Sequence, residues 1–151
     1  MHQLYTLLVG IHIFAAIIGI GPDLVWNRVL KTAGNMHELK SVHKMIGKVS
    51  PVSSVGFGLL LISGLLLGLM NPSLFKTFWY VLAIGLFIVL GIYSSLTTER
   101  KMKMMQHMTE THNGEDIPQQ YIELLKQKTF HDWIQNALII LIFMLMIFKP
   151  W

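Results

Sequence analysis

Four long apolar runs, at residues 4–21, 52–70, 78–96 and 133–148, limit what this chain can fold into. Each is close to the roughly 20 residues that an α-helix needs to cross a hydrocarbon core of about 30 Å. Strands are excluded, because a lone strand in lipid leaves its backbone N–H and C=O groups without partners. Composition agrees: 13% of the 151 residues are charged and 53% apolar, whereas a soluble domain is about a quarter charged. The sequence therefore predicts an all-α protein, a transmembrane antiparallel four-helix bundle. It forms one integral membrane domain over residues 1–151, with spans at about 4–22, 50–70, 76–97 and 131–149.

The first run lacks the basic flank and small-residue cleavage site of a secretory signal, so it is read as a spanning helix. The chain has no cysteine, which excludes disulfides, thiolate metal sites and a cysteine nucleophile. The net charge of +4 is distributed for a membrane rather than for nucleic acid. Arg28, Lys31, Lys40, Lys44 and Lys48 fall between the first and second runs, and Arg100, Lys101, Lys103, Lys126 and Lys128 between the third and fourth. Only Lys76 and Lys149 fall on the other side. Basic loops stay in the cytoplasm, so both long loops are expected inside a bacterial cytoplasmic (inner) membrane and both termini outside. Phe75, Trp79, Tyr80 and Trp151 would mark the outer interface, and Trp26, Phe130 and Trp133 the inner one.

The outer turn is only MNPS, which makes the second and third helices antiparallel neighbours. TTERKMKMMQHMTE reads as the third helix continuing beyond the membrane until THNGEDIP breaks it, and a new helix begins after Pro118 and runs into the fourth span. Small residues predict where helices touch. Ala15, Ala16 and Gly19 share a face with His12, while Gly56, Gly64 and Gly68 thin the second helix and Gly85 and Gly91 the third.

His12 is the one ionisable residue deep in the first span, and its small-residue neighbours turn it into the bundle. An imidazole at that depth serves as a haem or metal ligand, a proton carrier or a polar contact; the plainest role is a neutral ring hydrogen-bonded to Ser63 or a carbonyl. With no second histidine in an apolar span, a bis-histidine haem at the bilayer centre is disfavoured. Asp23, Arg28, His43, Lys48, His131 and Asp132 gather near the inner interface, either as a metal- or proton-handling group or, as favoured here, as a solvated collar facing lipid headgroups. Met105, Met108 and His112 share a helical face and resemble a Cu(I) donor set, but methionines packed against a neighbour explain them more simply. No phosphate loop, hydrolase triad or zinc-protease helix occurs, the spans contain no carboxylate pair, and no catalytic residue is assigned.

The stretch HIFAAIIGIGPDLVWNR resembles bacterial four-helix membrane proteins of the CopD and HemJ type, and most closely a neighbouring uncharacterised group of predicted integral membrane proteins. Pro51, SGLLLGL and the terminal MIFKPW fit the same pattern. HemJ-type proteins are linked to haem and protoporphyrinogen oxidation, and CopD-type proteins to copper uptake. The resemblance carries the first-helix histidine onto His12 and the following arginine onto Arg28. The third-helix lysine of the HemJ type has no counterpart, since FWYVLAIGLFIVLGIYSSL contains none and Lys76 precedes it.

The leading expectation is a haem- or porphyrin-binding membrane protein holding haem b, with His12, Arg28, His43 and His131 as cofactor-binding residues and His12 as the metal ligand. An enzyme of this kind would be a haem-linked oxidoreductase. The alternatives are a transport or metal-handling (copper or other ion) protein and a structural partner subunit. The expected partners are the lipid bilayer and a second copy of the chain through the glycine faces.

Overall fold

The computed structural model describes residues 2–149, with the side chain of His2 excepted. Trp151, assigned above to the outer aromatic belt, lies outside the described residues. The elements are α1 (His2–Thr32), α2 (Met36–Met70), a 3-10 turn (Pro72–Lys76), α3 (Phe78–Ser94), a π-helical segment (Ser95–Glu99), α4 (Arg100–Thr111) and α5 (Gln119–Phe148). α3, the π segment and α4 form one helical run, so four helices are long and apolar enough to cross a membrane. The expected all-α, four-span architecture is present. Leu7, Ile17, Val55, Leu69, Val89 and Ile147 are all more than half exposed, as expected where acyl chains rather than water cover the outside.

Each helix is longer than its apolar run. At 1.5 Å per residue, the 35 residues of α2 extend about 52 Å against a hydrocarbon core of about 30 Å. The excess lies at the end that carries the basic loops, where it builds a core of its own from Leu30, Met36, Leu39, Ile46, Met105 and Tyr121. Met105 is fully buried there and Met102 and Met108 pack against the same core, which identifies these three α4 methionines as packing residues. Asn35 caps α2 by accepting from the Glu38 N–H at 2.9 Å, and the Glu38 carboxylate accepts from the Gly34 N–H at 2.7 Å. This variant of the capping box lets three residues turn the chain between α1 and α2.

The tightest helix contact joins α1 and α2. A Cβ built on Gly56 would lie 2.5 Å from the Gly19 nitrogen, and one on Gly19 would lie 2.9 Å from the Phe57 nitrogen. Backbone meets backbone here, the arrangement that small residues permit in lipid. Gly68 also serves packing, receiving Phe75 and Tyr80. Gly85 and Gly91 differ from expectation, because a Cβ on either meets nothing within 4 Å. The buried residues of α3 are Tyr80, Ala83 and Leu90, and both glycines fall off that stripe.

The membrane core unites Ala15, Ile20, Leu60, Ala83, Leu90 and Ile139 from all four spans. The backbones nevertheless pair unequally: α1 lies close along α2 and α3 close along α5, while the two pairs meet mainly through side chains. If the Gly19–Gly56 crossing sets the helix spacing, Gly56→Ile should destabilise the protein in detergent by about 1–3 kcal/mol, the usual cost of overpacking. Gly85→Ile should leave stability nearly unchanged. Equal effects of the two substitutions in thermal unfolding would contradict this packing.

Candidate functional site

The unequal pairing leaves a cleft of about 660 Å³ between the two helix pairs. Its walls are almost wholly apolar, and among the described residues the polar side chains that line it are Tyr5, His12, Trp79, Tyr80 and Lys149, with no carboxylate. On the α2–α3 side the cleft is closed. Tyr80 Oη donates to the Gly64 carbonyl at 2.8 Å, and the Phe57 and Phe87 rings lie 5.7 Å apart. On the α1–α5 side it is open. Ile13, Ile17 and Leu24 of α1 and Phe143 and Ile147 of α5 line the cleft and are also exposed, so they form the rim of a lateral opening toward lipid.

His12 stands in this cleft for reasons that begin at Gly19. Seven residues separate Gly19 from His12 on α1 and Gly56 from Ser63 on α2, so in antiparallel helices the face that meets at the glycines returns two turns later as His12 opposite Ser63. His12 Nδ1 lies 2.8 Å from Ser63 Oγ, the partner expected from the sequence. The Ser63 hydroxyl already donates to the Leu59 carbonyl at 2.6 Å, with the Leu60 carbonyl at 3.2 Å. With that hydrogen turned to the carbonyls, the Ser63 oxygen is placed to accept from His12 Nδ1, the tautomer in which Nε2 keeps its lone pair. Gly64 completes the seat, since a Cβ there would stand 3.2 Å from His12 Cε1.

The other expected cofactor residues lie elsewhere. His43 is twenty residues from Ser63 along α2, about 30 Å toward the basic end; it is buried and its Nε2 lies 2.9 Å from Tyr121 Oη. His131 pairs with Tyr93, Nδ1 to Oη at 2.6 Å, and Tyr93 is thirteen residues below Tyr80, about 20 Å along the helix. Arg28 is exposed, sixteen residues and about 24 Å from His12. These four residues do not converge on one point, and among the described residues no group of three or more histidine or acidic side chains is placed to hold a metal.

The expected solvated collar is partly buried. Lys128 and Asp132, one helical turn apart on α5, form an ion pair at 2.5 Å and are 3% and 6% exposed. Lys128 also donates to Asn27 Oδ1 of α1 at 3.4 Å. Thr98, inside the π segment, donates to Gln135 Oε1 at 2.7 Å and lies 3.3 Å from Asp132 Oδ1. The helices overshoot the membrane and α4 packs against α2 and α5, which removes these charges from water. Sequence reasoning missed Lys128, Asn27, Thr98 and Gln135 as a group. The available signal was the i, i+4 spacing of Lys128 and Asp132. Breaking a buried pair strands a charge, at about 3–5 kcal/mol, while replacing both partners with apolar residues is often neutral. Lys128→Met and Asp132→Leu should each be strongly destabilising alone, and the double variant should recover most of the loss. Single variants within about 1 kcal/mol of the parent protein in an unfolding cycle would show that the pair is solvated.

Residues 6–150 match the family described as a predicted integral membrane protein (DUF2269). No curated protein and no solved structure matches. The match reaches all four spans and covers the Lys128–Asp132 group and the cleft apart from Tyr5, and the chain belongs to the DUF2269 family of predicted integral membrane proteins.

Proposed function

We propose that this membrane protein binds a haem-class macrocycle in the cleft between its helix pairs, with His12 as the residue that would hold its metal. The observation that carries this reading is the pairing of His12 Nδ1 with Ser63 at 2.8 Å in a residue that lines an apolar cleft; a proton on Nδ1 would leave Nε2 to bind. A carbonyl or serine partner fixing one ring nitrogen so that the other can bind a metal is the usual outer-shell arrangement of ligating histidines.

The residues present fit such a ligand. The cleft volume of about 660 Å³ lies within the range of small-molecule and cofactor sites. No carboxylate of the described residues lines the walls, and the lateral rim would admit a hydrophobic molecule from the bilayer. His12 would hold the macrocycle, the Gly64 surface would let the imidazole lie flat against α2, and Tyr80 would keep that surface fixed through its bond to the Gly64 carbonyl. Bound haem would supply redox chemistry; the chain supplies ligation, orientation and exclusion of water. Arg28, His43 and His131 have no part in this site. The charge asymmetry of the loops supports placing the basic end in the cytoplasm, and hence both termini outside.

Protein purified from haem-replete cells should carry a Soret band, and His12→Ala should remove or strongly shift it while leaving the helical circular dichroism spectrum unchanged. A colourless protein whose spectrum does not respond to added haemin would overturn this function and favour a transport or structural role for His12.

A further inference from the structure

Among the described residues Lys149 is the only lysine or arginine that lines the cleft, and it stands at the end where α5 finishes and α3 begins. Its ammonium lies 6.0 Å from the centre of the Trp79 ring, within the range of a cation–π contact. Among the described residues it has no carboxylate partner, since the one ion pair there is Lys128–Asp132. Lys149 is also the only described non-glycine residue with a left-handed backbone, at φ 42°. Glycine is the residue that ordinarily ends a helix in that conformation, because a Cβ makes it unfavourable. A left-handed backbone thus falls at the one described lysine or arginine that brings positive charge to one end of a largely apolar cavity. Tyr5 lines the same cleft seven residues before His12, so the cleft extends about 10 Å along α1 beyond the imidazole.

We infer that Lys149 is a second anchor of the cleft, binding an acidic group on the edge of the ligand whose centre His12 holds. The inference rests on the proposed function and specifies it: the ligand is an amphiphile with an apolar body and at least one carboxylate, inserted with its acidic edge toward Lys149 and Trp79. A carboxylate there meets an ammonium at the rim of a low-dielectric slot, where an ionic hydrogen bond outweighs its counterpart in open water.

The test compares haemin with haemin dimethyl ester, in which the acids are masked, by absorbance titration of the purified apoprotein in phosphatidylcholine nanodiscs. The parent protein should bind haemin at least about tenfold more tightly than the ester, which corresponds to about 1.4 kcal/mol. Lys149→Gly removes the ammonium and relieves the backbone, so it should fold normally and bind the two compounds within about twofold of each other. Lys149→Arg should restore the preference. Equal binding of acid and ester by the parent protein, or an unchanged preference in Lys149→Gly, would overturn the role of Lys149 and leave His12 ligation standing. Failure of both compounds to give a ligated spectrum with the parent protein would overturn the proposed function and this inference together.

Discussion

The contact on which the rest of this structure depends is the close approach of α1 and α2 at Gly19 and Gly56. In lipid there is no hydrophobic force to draw helices together, so association relies on close packing and on polar contacts between spans. Two glycines bring the backbones together, and two turns along the same face the contact continues as His12 against Ser63, 2.8 Å apart. The polar pair and the packing contact are therefore one feature: the glycines set the distance that the hydrogen bond needs.

The cleft follows from the same constraint. With α1 held along α2 and α3 held along α5, side chains bridge the two pairs unevenly. Tyr80 and the Phe57–Phe87 contact close one flank, and the α1–α5 flank stays open to lipid. At the basic end the helices continue beyond the membrane and behave like a small water-soluble protein, with a second core and a buried Lys128–Asp132 pair. That pair joins α5 to Asn27 of α1 and, through Thr98, to the π segment. Helix irregularities of this kind occur frequently at functional sites, and this one coincides with the place where membrane and cap portions meet.

Much of this was legible in the sequence, because span length and charge asymmetry are dictated by the bilayer itself. The four spans, the helical extension of the third, the restart after Pro118 and the Ser63 partner of His12 all follow from 1.5 Å per residue and the cost of polar groups in lipid. Which glycines make contact was not legible. Gly56 and Gly85 look alike as letters, and only the phase of the buried stripe on each helix separates them. The burial of Lys128 was also hidden, since counting loop charges treats each lysine as solvated, whereas its exposure depends on how α4 packs across α2 and α5. The cleft and the position of Lys149 beside it arise from contacts between separate helices, Lys149 and Trp79 being seventy positions apart, which no local pattern records.

The central claim is that Ser63 fixes the tautomer of His12 and thereby leaves Nε2 bare inside the cleft. Solid-state nitrogen NMR of histidine-labelled ligand-free protein in bilayers, with His12 assigned by comparison with His12→Ala, reads this directly. The account predicts one protonated, pyrrole-type nitrogen at Nδ1 and one unprotonated, pyridine-type nitrogen at Nε2. A proton on Nε2 with Nδ1 bare, or an imidazolium at neutral pH, would contradict it.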